Sequence, residues 1–330
     1  MRNWFFKKKN LNKKKILIIA DKKNWAYDSI AKSLIKYNKT ELLFELDYIK
    51  NQKYNLKKVH SDFDLIFVLG WQLLASIEND KIIEKFDFLD KKKVITGIHS
   101  HHSWDNKKTL PDNEVKPPKI LVEYLNQYKS INCVSKKLYN LFFSSGVKNI
   151  FLTENGVDID IFTQKKKFFI ESKLKVGFSG NSQNHDWRKG VSEFIVPATK
   201  ISDTQLFEAN KTEELLIPLE KMPNFYQNID VYVCASSSEG FSLSVLEASA
   251  TGIPIISTKV GGCEDFILDG VNGFLVNRNV ESIVEKLEFF KKNTQKIKEM
   301  GIKNREIIIN NYSWKIKILP WLNFINNSIG

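Results

Sequence analysis

The feature that most constrains this chain is an alternation between short apolar runs and segments with helical spacing. Three segments are apolar on both faces of a predicted strand: Lys15–Ala20 (KILIIA), Asp64–Gly70 (DLIFVLG) and Val94–Ile98. Between the first two, Tyr27–Tyr37 has the spacing of a helix with one apolar face. Strands that are apolar on both faces are typical of parallel sheets that helices cover on both sides. The pattern predicts an α/β fold.

The same alternation continues through the chain and begins again after a basic stretch, Lys165–Lys167. Further strands are predicted at Leu42–Leu46, Ile131–Val134, Asn149–Leu152, Leu174–Phe178, Gln205–Glu208, Val231–Cys234 and Ile253–Ser257. Helices are predicted at Pro118–Tyr128 and Lys136–Ser144, near Lys189, Pro223 and Ser242, and through the last fifty residues. Two such units predict two doubly wound domains. Ligands of these sheets bind beyond the carboxyl ends of the strands, so we expect a site in the cleft between the domains.

Composition excludes several other classes of protein. The chain has 330 residues, of which 42% are hydrophobic, so two domains with ordinary cores are expected rather than a disordered chain. We expect no membrane-spanning segment and no secretory signal, because no apolar run is long enough for either. Three scattered cysteines without a CxxC pair argue against disulfides and zinc and favour the reducing cytoplasm.

The net charge of +12 has two interpretations. One is a solvated lysine-rich surface, and the other is an anionic partner, either nucleic acid or a membrane face. The start of the chain, with Trp4–Phe6 followed by Lys7–Lys9, is compatible with contact to an anionic membrane surface.

The segment from Cys234 to Val276 carries the clearest chemistry. A strand is predicted to end there in a polar loop that holds Glu239, and a helix then opens near Ser242 and holds Glu247. The free N–H groups of a helix start favour a phosphate, and carboxylates accept hydrogen bonds from sugar hydroxyls. The spacing therefore suggests a nucleotide-sugar, although a solvated loop Glu and a surface helix Glu would show the same pattern.

This segment resembles the family 4 retaining glycosyltransferases, whose GT-B fold consists of two facing Rossmann-like domains. The resemblance rests on SEGFSLSVLEASATGIPIIST, then VGG and DGVNGFLV, in the order and spacing of the family. It continues upstream in MPNFYQNIDVYV, VGFSGNSQNHDWRKGV and ENGVDIDIF, and covers essentially residues 130–320. The first 130 residues match in architecture and at a few positions.

The resemblance implies a role for each matched residue of the donor site. Glu239 would contact the donor sugar in the transition state, Glu247 would bind the ribose, and Lys189 would hold the diphosphate. Backbone N–H groups for the sugar and phosphates would come from Gly240, Phe241, Ser242, Leu243 and Ser244. Asn181 stands where the family has an arginine, which Arg188 is a candidate to replace, and Asp265 stands where the family usually has Glu.

Three histidines follow the strand Val94–Ile98 in the sequence IHSHHSW. The family has a histidine near the transferred sugar, and His99 matches it best, with His101 and His102 as further candidates. A metal site formed by the three is an alternative that lacks an obvious carboxylate or thiolate ligand.

The first strand–helix turn reads DKKNW, without the glycines that many family members have there. Asp21 and Trp25 lie at the cleft end of the first predicted strand and are candidates for the acceptor side, while packing is an equal alternative for Trp25.

The resemblance implies a retaining, metal-independent, hexosyltransferase-type glycosyltransferase with Glu239, His99 and Lys189 as its catalytic residues. The donor would be a UDP- or GDP-sugar and the acceptor a glycan or lipid-linked molecule of bacterial cell-surface polysaccharide synthesis. We expect no cofactor, no metal and no nucleic-acid partner, and a cytoplasmic location that includes the inner face of the plasma membrane. The alternatives are an inactive nucleotide-binding module on the same scaffold and a basic nucleic-acid-binding protein.

The last residues predict how the two domains are connected. Trp314, Ile318 and Leu322 share one helical face, with Pro320 expected to kink or break the helix. In the GT-B family the terminal helix crosses the cleft, so we predict an N-terminal domain of residues 1–153 plus 314–330. The nucleotide-sugar domain would be 154–313.

Overall fold

The computed structural model describes residues 13–101, 104, 115–168, 173–210 and 217–329. The first half contains β1 (Lys15–Ala20), α1 (Ala26–Tyr37), β2 (Leu43–Tyr48), β3 (Leu65–Val68), α2 (Trp71–Leu74), β4 (Ala75–Glu78), β5 (Lys81–Glu84), β6 (Val94–Ile98), α3 (Lys119–Leu125), β7 (Ser130–Cys133), α4 (Lys136–Ser144) and β8 (Ile150–Leu152). Six of these strands form a parallel sheet in the order β2-β1-β3-β6-β7-β8, and β4 and β5 form a separate hairpin.

The second half contains β9 (Lys175–Gly180), α5 (Ser182–Lys189), α6 (Val196–Ile201), β10 (Gln205–Asn210), α7 (Met222–Gln227), β11 (Val231–Cys234), α8 (Leu243–Ala250), β12 (Ile255–Thr258), α9 (Cys263–Phe266), β13 (Gly273–Val276), α10 (Val280–Lys292), α11 (Thr294–Ile307) and α12 (Trp314–Ile329). Its five strands form a second parallel sheet in the order β10-β9-β11-β12-β13. Two doubly wound α/β units thus follow each other, as the alternation predicts, and the fold is GT-B.

Strand and helix positions agree with the sequence where apolar runs are sharply bounded. The predicted limits of β1, β6, β11 and α4 are those of the structure. The β4–β5 hairpin and β13 have no counterpart among the predicted elements. The helix predicted to begin near Lys189 is confirmed, because a helical segment begins at Val191 as a π-helical turn and continues as α6, after Gly190 in the left-handed conformation, with φ +64°. Helix α5, which ends at Lys189, has no counterpart among the predicted elements.

Helix α12 packs on the first sheet although it follows the second in sequence. The Trp321 ring lies 6.1 Å from the Phe67 ring, and Phe324 lies 5.6 Å from Phe67 and 5.4 Å from Phe151. Trp321 Nε1 also donates to the carbonyl group of Glu154 at 3.0 Å. This packing is what an aromatic and aliphatic helix face requires. The boundaries proposed at 153/154 and 313/314 stay a prediction.

Pro320 does not break α12, which continues to Ile329. The proline removes one backbone N–H group from the helix, but Ile318 before it and Trp321 after it are buried. Ile318, Trp321, Leu322 and Ile325 hold the helix against the first sheet. Packing therefore outweighs the lost hydrogen bond, so the helix does not break at Pro320, and a kink there stays a prediction.

Among the described residues, no helix has both the length and the apolar character needed to cross a membrane. The basic start of the chain, Trp4–Phe6 with Lys7–Lys9, lies outside the described residues, so the membrane-contact prediction is not addressed by the fold.

Candidate active site

A cavity of about 490 Å³ lies between the two sheets, at the carboxyl ends of their central strands. Its walls come from the loops after β1 and β6 on one side and from the loops after β9 and β11 on the other. The predicted site residues in its wall are Asp21, Trp25, His99, Asn181, Arg188, Lys189, Glu239, Gly240, Phe241, Ser242, Leu243, Ser244 and Glu247. The structure thus brings these predicted residues together in the cleft between the two sheets, where the sequence predicts a site.

Glu239 is the centre of a buried charge cluster in this cavity. Its carboxylate forms an ion pair with the Lys189 ammonium group, and Arg188 Nη1 lies 3.2 Å from the same oxygen, Oε1. Ser236 Oγ donates to that oxygen at 2.8 Å. Burial by itself raises the pKa of Glu239, but Lys189 and Arg188 outweigh it and lower the pKa to about 2. The carboxylate is therefore ionised at physiological pH.

The turn at Gly190 places Lys189 and Arg188 in the cavity. Both cations occupy the last turn of α5, where the carbonyl ends of a helix favour positive charge. A side chain on Gly190 would meet the carbonyl oxygen of Ala235 at 2.9 Å, so α5 ends tightly against the end of β11. Arg188 Nη1 donates to the carbonyl group of Ser238 at 2.7 Å, which ties the helix to the loop that holds Glu239.

The loop after β11 closes the cavity by direct contact with the first domain. A side chain on Gly240 would overlap the carbonyl group of His99, so only glycine lets the two loops approach this closely. Ser242 then stands at the N-cap of α8 without a side-chain capping bond. The first N–H groups of a helix have no partner inside it, and Leu243 and Ser244 are both in the cavity wall.

Glu247 lies one turn further along α8 and is only 5% exposed. Its Oε2 accepts a hydrogen bond of 2.7 Å from the hydroxyl group of Tyr226. Burial raises the pKa of Tyr226 well above its usual value, so the tyrosine keeps its proton and is the donor.

On the opposite wall, the His99 ring packs edge-on against Tyr27 with their centroids 4.9 Å apart. Burial lowers the pKa of His99 to about 3, and a hydrogen bond to the Leu69 backbone offsets this only in part. The imidazole is therefore neutral at physiological pH. Its Nε2 atom is buried and has no hydrogen-bond partner within the part of the chain that the structure describes.

The first loop brings an acid and an aromatic ring to the same wall. Burial raises the pKa of Asp21, and its Oδ1 has no hydrogen-bond partner among the described residues. The Lys22 ammonium group lies 3.6 Å from the centre of the Trp25 ring. Asn24 takes the φ of +63° that this glycine-free turn requires.

Two of the predicted residues are not brought into the cavity wall. His101 is buried with its ring 5.6 Å from Trp104, and Trp104 in turn contacts Phe142. Asp265 lies 3.7 Å from Lys136 of the first domain, in a contact between the domains. His102 lies outside the described residues, so its predicted role is not addressed by the structure.

Three further residues contribute to the cavity without a predicted role. Ser236 bonds to Glu239, Tyr226 bonds to Glu247, and His185 lines the wall beside Arg188 and Lys189. Burial and the two neighbouring cations lower the pKa of His185. Tyr226 and His185 stand inside the motifs that carry the family resemblance, and that position is the only signal for them in the sequence.

Comparison with known proteins gives a family model that matches part of the second half of the chain. The family model of glycosyl transferases group 1 matches residues 213–307, which include Glu239, Gly240 and Glu247. Within the matched residues, α8 and the loop before it form the cavity wall described above.

The proteins that resemble this chain in sequence are longer, and their names describe the transfer of sugars. The sucrose synthase of Melioribacter roseus is 26% identical over 260 residues, which cover 68% of this chain and 32% of that protein. The poly(ribitol-phosphate) alpha-N-acetylglucosaminyltransferase of Staphylococcus aureus is 23% identical, over 72% of this chain and 51% of that protein. The chain thus spans between about a third and half of these two relatives.

A solved structure confirms the fold over nearly the whole chain. HepE from Anabaena, in complex with UDP and glucose, superposes with a TM-score of 0.69 and covers 95% of this chain and 99% of its own. Its sequence identity is 12%, so the likeness concerns the GT-B fold alone.

Proposed function

We propose that this chain is a retaining, hexosyltransferase-type glycosyltransferase that uses a nucleoside-diphosphate sugar and no metal ion. The observation that carries the proposal is one cavity wall that holds the Lys189–Glu239 ion pair, the start of α8 and the buried Glu247. Cations and N–H groups suit a diphosphate, and the two carboxylates suit the hydroxyl groups of the sugar and the ribose.

The charges in this wall match the charge that develops in the reaction. As the bond between the anomeric carbon and the phosphate oxygen breaks, the leaving diphosphate gains negative charge and the sugar becomes oxocarbenium-like. Lys189 and Arg188 stabilise the diphosphate more in the transition state than in the ground state. Glu239, with its pKa lowered to about 2, accepts hydrogen bonds from sugar hydroxyls and does not deliver a proton.

Retention follows when the acceptor attacks from the face that the diphosphate leaves. The new bond joins the acceptor oxygen to the anomeric carbon while the bond to the phosphate oxygen breaks. The acceptor proton passes to the departing phosphate oxygen, which becomes more basic as it leaves. Asp21, Trp25 and His99 would orient the acceptor from the opposite wall.

Names of similar proteins support the substrate classes. The Staphylococcus aureus relative is named for poly(ribitol phosphate), which supports a bacterial cell-surface polymer as the acceptor. HepE was solved with UDP and glucose, so UDP-sugars are the first donors to test, and GDP-sugars remain the alternative. We place the protein in the cytoplasm, including the inner face of the plasma membrane.

The test is a screen of UDP- and GDP-sugars by thermal shift, followed by assays of donor hydrolysis and sugar transfer. One donor should raise the melting temperature and be turned over by the unchanged chain. Glu285→Gln is a matched control, because Glu285 is exposed on α10 and pairs with its neighbour Lys286. Nucleotide binding without turnover would instead indicate an inactive module, and salt-sensitive DNA binding without nucleotide-sugar binding would indicate a nucleic-acid binder.

A further inference from the structure

Tyr226 reaches the cavity wall from behind, through Glu247. Its ring is fully buried, with the rings of Phe162, Phe225 and Tyr232 at centroid distances of 5.8, 5.1 and 6.1 Å. These contacts fix the position of the hydroxyl group, which donates to Glu247 Oε2 at 2.7 Å. The bond therefore joins a rigid aromatic cluster to a carboxylate in the cavity wall.

A hydrogen bond of this kind constrains the orientation of a carboxylate. Glu247 has a flexible side chain, and in α8 alone its carboxylate plane would be free to rotate. Each carboxylate oxygen accepts more than one hydrogen bond, so the bond from Tyr226 leaves acceptor capacity toward the cavity. A carboxylate of fixed plane matches two neighbouring hydroxyl groups, one for each oxygen.

We propose that Tyr226 is a positioning residue that orients Glu247 to accept both ribose hydroxyl groups of the donor nucleotide. This inference rests on the proposed function, because it needs a nucleotide in the cavity. Its specific consequence is that the effect of the Tyr226 hydroxyl group depends on the 2′- and 3′-hydroxyl groups of the ligand.

The experiment compares UDP with 2′,3′-dideoxy-UDP by calorimetry on the full chain and on Tyr226→Phe. The substitution removes one hydroxyl group and keeps the ring. It should weaken UDP binding about tenfold, the range for a hydrogen bond to a charged group, and dideoxy-UDP binding less than twofold. If the unchanged chain prefers GDP, the same comparison is made with GDP and its dideoxy form.

Tyr124→Phe is the matched control, because it also removes a buried tyrosine bond, the one of 2.5 Å with Tyr128 in the first domain. It should leave both dissociation constants unchanged, and the melting temperatures of both variants verify that the fold is kept. An equal loss of affinity for UDP and dideoxy-UDP in Tyr226→Phe would overturn the proposal and leave Tyr226 a purely structural role. Failure of the unchanged chain to bind either UDP or GDP would overturn the proposed function itself, and this inference with it.

Discussion

Lys189 and Glu239, the two opposite charges assigned to the donor, form an ion pair with each other inside the cavity. The pair keeps the Glu239 carboxylate ionised in a buried place, where an isolated charge would be costly. A diphosphate on Lys189 and sugar hydroxyls on Glu239 would replace this contact with two new ones. Substitutions of Glu239 should therefore separate sugar binding from diphosphate binding.

Glu239→Gln should lower turnover about 100-fold or more, because it removes a negative charge beside the developing oxocarbenium ion. Affinity for UDP without a sugar should stay the same or increase, since Lys189 is released from its partner. Donor hydrolysis and calorimetry measure the two effects, with Glu285→Gln as the control. A loss of UDP affinity as large as the loss of turnover would contradict the assignment.

Glu247→Gln should weaken nucleotide binding more than it lowers turnover, which is the opposite of the effect expected for Glu239→Gln. We expect about tenfold weaker nucleotide binding, because an amide replaces one carboxylate oxygen that faces the ribose hydroxyls. Turnover at saturating donor should fall much less than in Glu239→Gln. Steady-state kinetics over a range of donor concentrations measure both, and equal small effects in the two variants would show that neither carboxylate is in the donor site.

Turnover should persist in EDTA, because Arg188, Lys189 and the start of α8 supply the positive field that a metal would otherwise provide. The measurement is the initial rate after dialysis against EDTA, compared with the rate after Mg²⁺ or Mn²⁺ is added back. A rate that disappears and returns with metal would revive the three histidines of the IHSHHSW segment as a metal site.

The Glu239 carboxylate should contribute to stability in a pH-dependent way. Its pKa is lowered from 4.5 to about 2, so its contribution is fully present above about pH 4.5 and is lost as the pH falls to about 2. The shift corresponds to about 3 kcal/mol. Urea unfolding of the unchanged chain and of Glu239→Gln at pH 6, 4.5 and 3 checks this, because their difference should shrink toward acid. A difference that does not change with pH would show that the ion pair is absent in solution.

Helix α12 offers a test of its packing on the first domain. Trp321→Ala should lower the free energy of unfolding by about 3–5 kcal/mol, the range for a large aromatic side chain removed from a core. Leu319→Ala is the control on the same helix, since Leu319 is 61% exposed and should cost little. Deletion of 314–330 should destabilise the first domain further. A truncated chain with unchanged melting and full activity would exclude a role for the crossing helix.

The sequence predicts the fold well where local pattern decides it. Strands β1, β6 and β11 are short runs of apolar residues with sharp ends, and a buried parallel strand needs little else. The β4–β5 hairpin has no such run, because its residues are mixed and partly exposed. The end of α5 is not evident from local pattern for a different reason, since the left-handed turn at Gly190 depends on the close approach of Ala235.

The candidate site shows the same division between local and tertiary information. Glu239 and Glu247 belong to one continuous motif, so the sequence alone gives their spacing. Tyr226 bonds to Glu247 from 21 residues away, and Ser236 acts through a loop whose shape is set by packing. Asp265 shows that a motif position does not determine where a side chain lies. Its position in the sequence matches the family motif, but its side chain lies toward Lys136.

The chain passes between the two domains twice, and the two passages lie side by side. The N–H group of Val157 donates to the carbonyl group of Tyr312 at 2.9 Å, and that of Trp314 donates to Val157 at 3.1 Å. Two hydrogen-bonded connecting segments resist twisting of the domains. Rotation of one domain over the other would stretch one segment and compress the other. Bending about the line through both segments changes neither length. The two domains should therefore move relative to each other by opening about a single axis. This opening widens the cavity while its two walls keep facing each other.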